Sequence, residues 1–263
     1  MSLTILLASA RSTLRYSCTV AAQRWCSTKD KDTNHHHEEE DAYEEEIRDK
    51  ILAASLPYVK ELGWSKEAIA AGACEVGYPG VTHGMFTRGG GDLVLYFQKS
   101  SNLKLVDFMK DFQCRHEEKS VPPAEFVEIA CKERLSMTIP YLARWPQAIA
   151  IMTLPPNVPQ ALATLLTMVD DICYHAGDRS VDFTWYARRI AVAGVYKASE
   201  LYLMQDKSPE YRDTWKFLNR RLTEAVQLND LINSKRDGPN MAGKDTISAA
   251  FTTARNILGL NKT

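Results

Sequence analysis

Asp170-Asp171, Cys173 and His175 bring acid, thiol and imidazole within one short stretch, and they are where catalytic or metal chemistry would first be sought in this chain. An adjacent aspartate pair can hold magnesium against a diphosphate as part of a DDxxD motif. Here the fifth position is Tyr174 and no second aspartate-rich motif occurs. Cys173 and His175 stand at i, i+2, so on a helix they point to different sides, the wrong arrangement for a nucleophile and its base. None of the six histidines has a glutamate three residues before it, which removes the Glu-x-x-His pairs of a di-iron carboxylate centre. No Gly-x-Ser-x-Gly occurs, and Gly89-Gly90-Gly91 lacks the lysine and the preceding strand of a phosphate loop. His83 and His175 read as structural histidines. His35-His36-His37 beside Glu38 to Asp41 suits either an adventitious metal or a solvated linker. We therefore expect no catalytic residue, no metal site and no cofactor.

The elements that carry these residues are helical. From about Glu44 onward nearly every segment repeats its apolar positions with helical period, and none alternates long enough for a sheet, so the chain should be all-α. Ile47, Ile51, Ala54 and Tyr58 set one face of a first helix, and Ser65 caps a second. Longer helices are expected over 92–116 and 122–139. A short one should lie between Trp145-Pro146 and Pro155-Pro156, followed by one from about Asn157 to His175. Ser180 or Asp182 should open a helix reaching Gln205, and Ser208-Pro209-Glu210 the next, to about Leu231. A last helix is expected over Asp245 to Leu258, with Ile247, Phe251, Ala254 and Leu258 on one face.

The ends differ in composition from the middle. Residues 1–28 carry Arg11, Arg15 and Arg24, many Ser, Thr and Ala, and neither Asp nor Glu, the composition of a mitochondrial transit peptide. Residues 29–43 form a charged tract with little to bury, expected to be a disordered linker. Residues 44–231 then hold the folded domain, 232–244 a flexible linker, and 245–260 an amphipathic helix. The net charge is −1 and 45% of residues are hydrophobic, so charge alone points to neither nucleic acid nor an acidic substrate. No run of eighteen apolar residues predicts a spanning helix, which leaves peripheral membrane contact. Of the cysteines, Cys18 and Cys26 would leave with the presequence, while Cys74, Cys114, Cys131 and Cys173 show no metal spacing and are expected as reduced, mostly buried thiols.

WSKEAIAAGACEVGYPGVTHGMFTRGGGDLVLYF, within residues 44–97, resembles the three N-terminal helices of TetR-type regulators. That resemblance implies a TetR-like bundle with a helix-turn-helix, and dimerisation through late helices. Residues 61–97 nevertheless carry a net charge of −2, from Lys66 and Arg88 against Glu61, Glu67, Glu75 and Asp92. A recognition helix must neutralise phosphates and reach base edges, and here only Thr82 and His83 offer polar reach. The helix-turn-helix is read as degenerate, with no nucleic-acid partner; a DNA-binding regulator is the weaker alternative.

The apolar residues of the middle, among them Leu93, Phe97, Leu105, Met109, Leu165 and Tyr196, suit either a packed core or an elongated cavity between helices. A second resemblance bears on this choice. Asp170-Asp171, Ala176-Gly177-Asp178, Asp182-Phe183, Trp185-Tyr186, Arg189, Ser199-Glu200-Leu201, Gln205-Asp206, Ser208-Pro209 and Asp213-Thr214-Trp215 resemble the lipid-binding accessory proteins of mitochondrial ubiquinone biosynthesis. RLSMTIPYLARWPQAIAIMTLPPNVPQAL, residues 134–162, extends the match. Cys173 stands where that family has an aromatic, and Tyr174-His175 inverts its usual order.

The resemblance implies a non-catalytic protein that binds an isoprenoid quinone-type lipid at the matrix side of the inner membrane and presents it to the di-iron demethoxyubiquinone hydroxylase. It implies lipid contacts from Phe97, Leu105, Met109, Met137, Ile139, Met152, Leu166, Val192 and Tyr196. The hydroxylase would meet Asp170, Ile172, Asp182, Trp185, Tyr186 and Arg189, and the membrane surface Ile247, Phe251, Ala254 and Leu258. From residue types alone, Asp170-Asp171 suits a partner-binding role and an ordinary structural one equally, the latter with one aspartate paired to Arg188 or Arg189 and the other solvated. An all-α isoprenoid-processing enzyme is the alternative from another class.

Overall fold

In the computed structural model of the chain, residues 43–79, 85–116, 121–177 and 183–236 are described, with backbone alone for 183–187 and 228–236. The described residues contain helices and turns and no strand. The chain divides into two units, Met1–Ile51 and Leu52–Thr263. In the first, residues 43–51 are helical, with an exposed Lys50–Glu46 pair at 2.8 Å. The charged tract before them, the presequence, the histidine cluster, most of the expected recognition helix and the whole 245–260 segment lie outside the described residues.

Helix α1 (residues 43–55) runs into the second unit, followed there by α2 (Val59–Leu62), α3 (Lys66–Glu75), α4 (Gly90–Arg115), α5 (Pro123–Ser136), α6 (Trp145–Met152), α7 (Val158–His175), α8 (Phe183–Leu203) and α9 (Arg212–Arg236). Ser65 caps α3 as expected, accepting from the Ala68 N–H at 3.3 Å. The α5 helix stops at Ser136, short of the expected Ile139, and gives way to a 3-10 turn, Ile139–Arg144. Pro140 sits at its start, where its missing N–H is tolerated but would break a continuing α-helix. The α9 helix continues to Arg236, so the linker expected from residue 232 begins as helix.

The α8–α9 junction corrects the expected start of α9. Pro209 opens a 3-10 turn, Pro209–Tyr211, instead of the helix itself, and Glu210 and Tyr211 adopt left-handed backbone, φ 55° and 56°. Ser208 still caps α9, its Oγ accepting from the Asp213 N–H at 3.1 Å. A second cap comes from Asp206, which sequence reasoning passed over. Its carboxylate accepts from Ser208 N–H at 2.7 Å, Thr214 N–H at 2.9 Å and the Thr214 hydroxyl at 2.5 Å. Two otherwise orphaned donors of the first turn of α9 are thereby satisfied.

One core joins the later helices. Leu105 and Met109 of α4, Phe126, Cys131 and Leu135 of α5, Met168, Val169 and Ile172 of α7, Val195, Tyr196 and Leu203 of α8, and Leu218 and Leu222 of α9 pack together. Earlier in the unit, Trp64, Phe97, Tyr141 and Trp145 form a cluster of edge-on and tilted aromatic rings with centroids 5.1–5.7 Å apart. The Gln147 amide pins the loop that delivers Trp64, accepting from Trp64 N–H at 3.0 Å and donating to its carbonyl at 3.3 Å. At two places the packing requires glycine: a Cβ on Gly72 would run into Ser55, and one on Gly90 into the Trp64 carbonyl.

Asp206 gives this architecture a test. Its partial burial would raise the carboxyl pKa, but the hydrogen bonds from Thr214 and Ser208 outweigh that and hold it at about 2. A depressed folded-state pKa stabilises above the unfolded value near 3.8, and the contribution is lost as pH falls from there toward 2. Asp206→Ala should cost on the order of 1–2 kcal/mol at neutral pH by urea denaturation. The difference from wild type should narrow below about pH 3.8; equal urea midpoints at pH 7 would contradict the capping role.

Candidate functional site

Five helices leave a cavity of about 410 Å³ between them. Its walls come from α4 through Gln98 and Asn102, α5 through Arg134, α6 through Trp145, Ala148, Ile149 and Met152, α7 through Val158, Ala161, Leu162, Leu165 and Met168, and α8 through Tyr196, Lys197, Glu200 and Leu201. Prolines at both ends keep α6 short: Pro146 stands in its first turn and Pro155-Pro156 follow it. Ala148 and Ala161 are small where larger side chains would close the space. The cavity is also open to solvent, because its wall residues Val158, Leu162 and Leu201 are 42%, 52% and 49% exposed. Leu154 and Leu166 prolong the same exposed apolar row along and beside α7, spaced one turn apart from Val158 and Leu162. Apolar area left in water in this way needs a reason.

The opposite part of the wall is polar and buried. Arg134 is 3% exposed, and its Nε donates to Asn102 Oδ1 at 2.9 Å. Asn102 Nδ2 in turn donates to the Thr164 carbonyl at 3.1 Å, so one chain of hydrogen bonds ties α5, α4 and α7. The guanidinium lies 5.8 Å from the centre of the Phe97 ring, a cation–π distance. On α8, Glu200 is 2% exposed and accepts from Lys197 at 2.8 Å. Burial pushes the Tyr196 phenol well above its ordinary range and keeps it protonated.

Of the nine residues expected to touch lipid, Met152 and Tyr196 line the cavity. Phe97 backs the wall through the aromatic cluster, in contact range of Trp145 and Arg134. Leu105 and Met109 are fully buried in the core, with Met137, Ile139 and Val192 packed against it, and they do not face the cavity. Leu166 is 41% exposed, while its neighbour Leu165 lines the wall. The polar wall was missed altogether. Its signal was present: Asn102 lies on the buried stripe of α4 with Leu105 and Met109, Arg134 follows Ala130 by one turn, and Glu200 follows Tyr196 by one turn. A polar residue within an apolar stripe is the informative exception.

Among the expected partner contacts, Asp170 binds Arg189 at 2.6 Å. Asp170 is half exposed and Arg189 is buried, so this pair fastens α7 to α8 and shows only its carboxylate outside. Ile172 is fully buried in the core and is corrected from surface to packing. Asp182 and the side chains of Trp185 and Tyr186 lie outside the described residues, as do Ile247, Phe251, Ala254 and Leu258. Asp171 has its carboxyl raised by burial and then by Asp170. Burial lowers the His175 pKa, and its ring meets Gln113 Oε1 at 3.1 Å. Two of the four cysteines expected to be mostly buried, Cys74 and Cys114, are exposed. Cys131 and Cys173 are buried, and burial pushes the Cys131 thiol up to about 12. Among the described residues no cluster of three His, Cys, Asp or Glu could hold a metal, and no helix is long and apolar enough to cross a membrane.

Fold and site together define an all-helical protein with a laterally open apolar cavity that carries a buried polar patch. Residues 158–229 match the COQ9 family, and residues 44–74 match the N-terminal domain of ubiquinone biosynthesis protein COQ9. The chain is 47% identical over 214 residues to the mitochondrial ubiquinone biosynthesis protein COQ9 of Drosophila melanogaster, covering 81% of this chain and 65% of that protein. It is 40% identical over 223 residues to COQ9-A of Xenopus laevis and 37% identical over 223 residues to human COQ9, in each case covering 83% of this chain and 70% of the relative. The chain belongs to the COQ9 family.

Proposed function

We propose that this protein serves mitochondrial ubiquinone biosynthesis as a non-catalytic lipid-binding accessory, holding an isoprenoid quinone intermediate in the α4–α8 cavity. The observation that carries this reading is the cavity itself, with apolar walls and a mouth rimmed by exposed Val158, Leu162 and Leu201. Its volume of about 410 Å³ falls at the small end of ligand sites. A ring and the first part of its tail fit there, and a long polyprenyl tail leaves through the mouth along the apolar row of α7. Such a ligand explains why that row is apolar and exposed.

The remaining parts of the proposal rest on the sequence. Residues 245–258 are read as an amphipathic helix lying on the matrix face of the inner membrane, where the ligand resides. Asp170, Asp182, Trp185, Tyr186 and Arg189 are read as the side that meets the demethoxyubiquinone hydroxylase, to which the lipid is presented. A TetR-like arrangement and self-association through late helices complete the reading.

Three outcomes follow. Ala161→Trp should fill the cavity near its mouth and abolish uptake of a short-chain ubiquinone while helix content stays as in wild type; unaltered uptake by the folded variant would sink the cavity reading. Removing residues 245–263 should lower co-sedimentation with anionic liposomes, and unchanged sedimentation would reject the membrane helix. Trp185→Ala should weaken hydroxylase binding by about 2 kcal/mol, the scale of an aromatic anchor. A variant that binds as tightly as wild type would move the docking surface elsewhere.

A further inference from the structure

We propose that the polar wall of the cavity is a headgroup subsite that selects an uncharged, oxygen-bearing ring: Arg134 donates to a ring oxygen, and Glu200 turns away diphosphates. This rests on the cavity being a lipid site, as proposed above, and adds which end of the lipid enters and which chemistry it carries.

Arg134 carries five N–H donors, and burial makes each unmade hydrogen bond costly. Its Nε is engaged by Asn102, but its Nη1 is buried and has no hydrogen-bond partner among the described residues. Asn102 cannot turn to serve it, because its oxygen already accepts from Arg134 and its amide already donates to the Thr164 carbonyl. The guanidinium is therefore held in one orientation on a cavity wall with donor capacity left over. An acceptor oxygen on a ligand supplies what the protein does not.

The acceptor is further restricted by Glu200. It lines the same cavity, is 2% exposed, and accepts from Lys197 at 2.8 Å. The Lys197 side chain is 39% exposed and that of Glu200 3%, so solvent screens the ammonium while the carboxylate acts inside the cavity. A prenyl diphosphate would bring several negative charges next to a buried carboxylate, where repulsion is weakly screened. A carbonyl or methoxy oxygen brings none and completes the Arg134 hydrogen bond. Tyr196 and Trp145, both on the wall, give flat apolar surface to a ring.

The test uses the full chain and three probes: decylubiquinone, decylbenzene and farnesyl diphosphate, titrated by calorimetry. Wild type should prefer decylubiquinone to decylbenzene. Arg134→Met should lower decylubiquinone affinity on the order of tenfold to a hundredfold, the worth of a hydrogen bond to a charged group, and leave decylbenzene unchanged. Glu200→Gln, which keeps shape and an acceptor for Lys197, should raise farnesyl diphosphate affinity at least about tenfold. The subsite is overturned if folded Arg134→Met binds decylubiquinone as wild type does, or if Glu200→Gln leaves diphosphate binding unchanged. Should Arg134→Met fail to fold, the wild-type preference and Glu200→Gln decide. Wild type binding both decyl probes equally rejects the subsite and leaves the lipid cavity standing, whereas binding neither rejects both.

Discussion

A guanidinium taken out of water must have its hydrogen bonds replaced, and in this protein that requirement organises the centre of the helical unit. The effective cost of burying an unpaired ion is several kcal/mol. Arg134 meets part of it by reaching through Nε from α5 to Asn102 of α4, and Asn102 passes the connection to the backbone of α7 at Thr164. Three helices are thus registered against one another by a chain of polar contacts that tolerates little displacement. A packed apolar core would accept many side-chain combinations at this position; a buried charge accepts few. The cavity lies beside this chain because α6, confined by prolines, brings Ala148 and Ile149 to its wall where a longer helix would bring bulk.

The aromatic cluster stands behind the same wall. Trp64 enters from the loop before α3, Phe97 from α4, Tyr141 from the 3-10 turn and Trp145 from α6. Because Gln147 satisfies both backbone groups of Trp64, the loop is fixed without a sheet or a disulfide. Phe97 joins the two systems, in contact range of both Trp145 and the Arg134 guanidinium. The polar patch of the cavity therefore has rigid apolar backing, the usual condition for a site that positions its ligand. The other wall, along α7, is less enclosed and ends in exposed leucines and valine.

Much of the helical fold was legible in the residues. Helical periodicity located α4, α5, α7 and α8 to within a few positions, and Ser65 announced the start of α3. The departures have local causes: Pro140 converts the end of α5 into a 3-10 turn, and Asp206 acts on α9 from upstream of the Pro209 turn. The site was less legible, because periodicity says which residues are buried and not whether they meet a neighbour or a space. Leu105 and Met109 were as suitable for a wall as Met152, and only the course of α6 separates them. Arg134, Asn102 and Glu200 were visible as polar residues on buried stripes, yet their convergence joins helices far apart in sequence. Ile172 was expected at the hydroxylase contact through the resemblance alone, although the helix turns it into the core.

The claim on which the rest depends is that the cavity holds an isoprenoid quinone-type lipid. The most direct measurement is mass spectrometry of lipids released from the purified full chain, beside an unrelated helical protein prepared identically. The account predicts near-stoichiometric isoprenoid quinones or their ring-bearing precursors, absent from the control. Protein that carries no such lipid, and takes none up from quinone-containing liposomes, would contradict it.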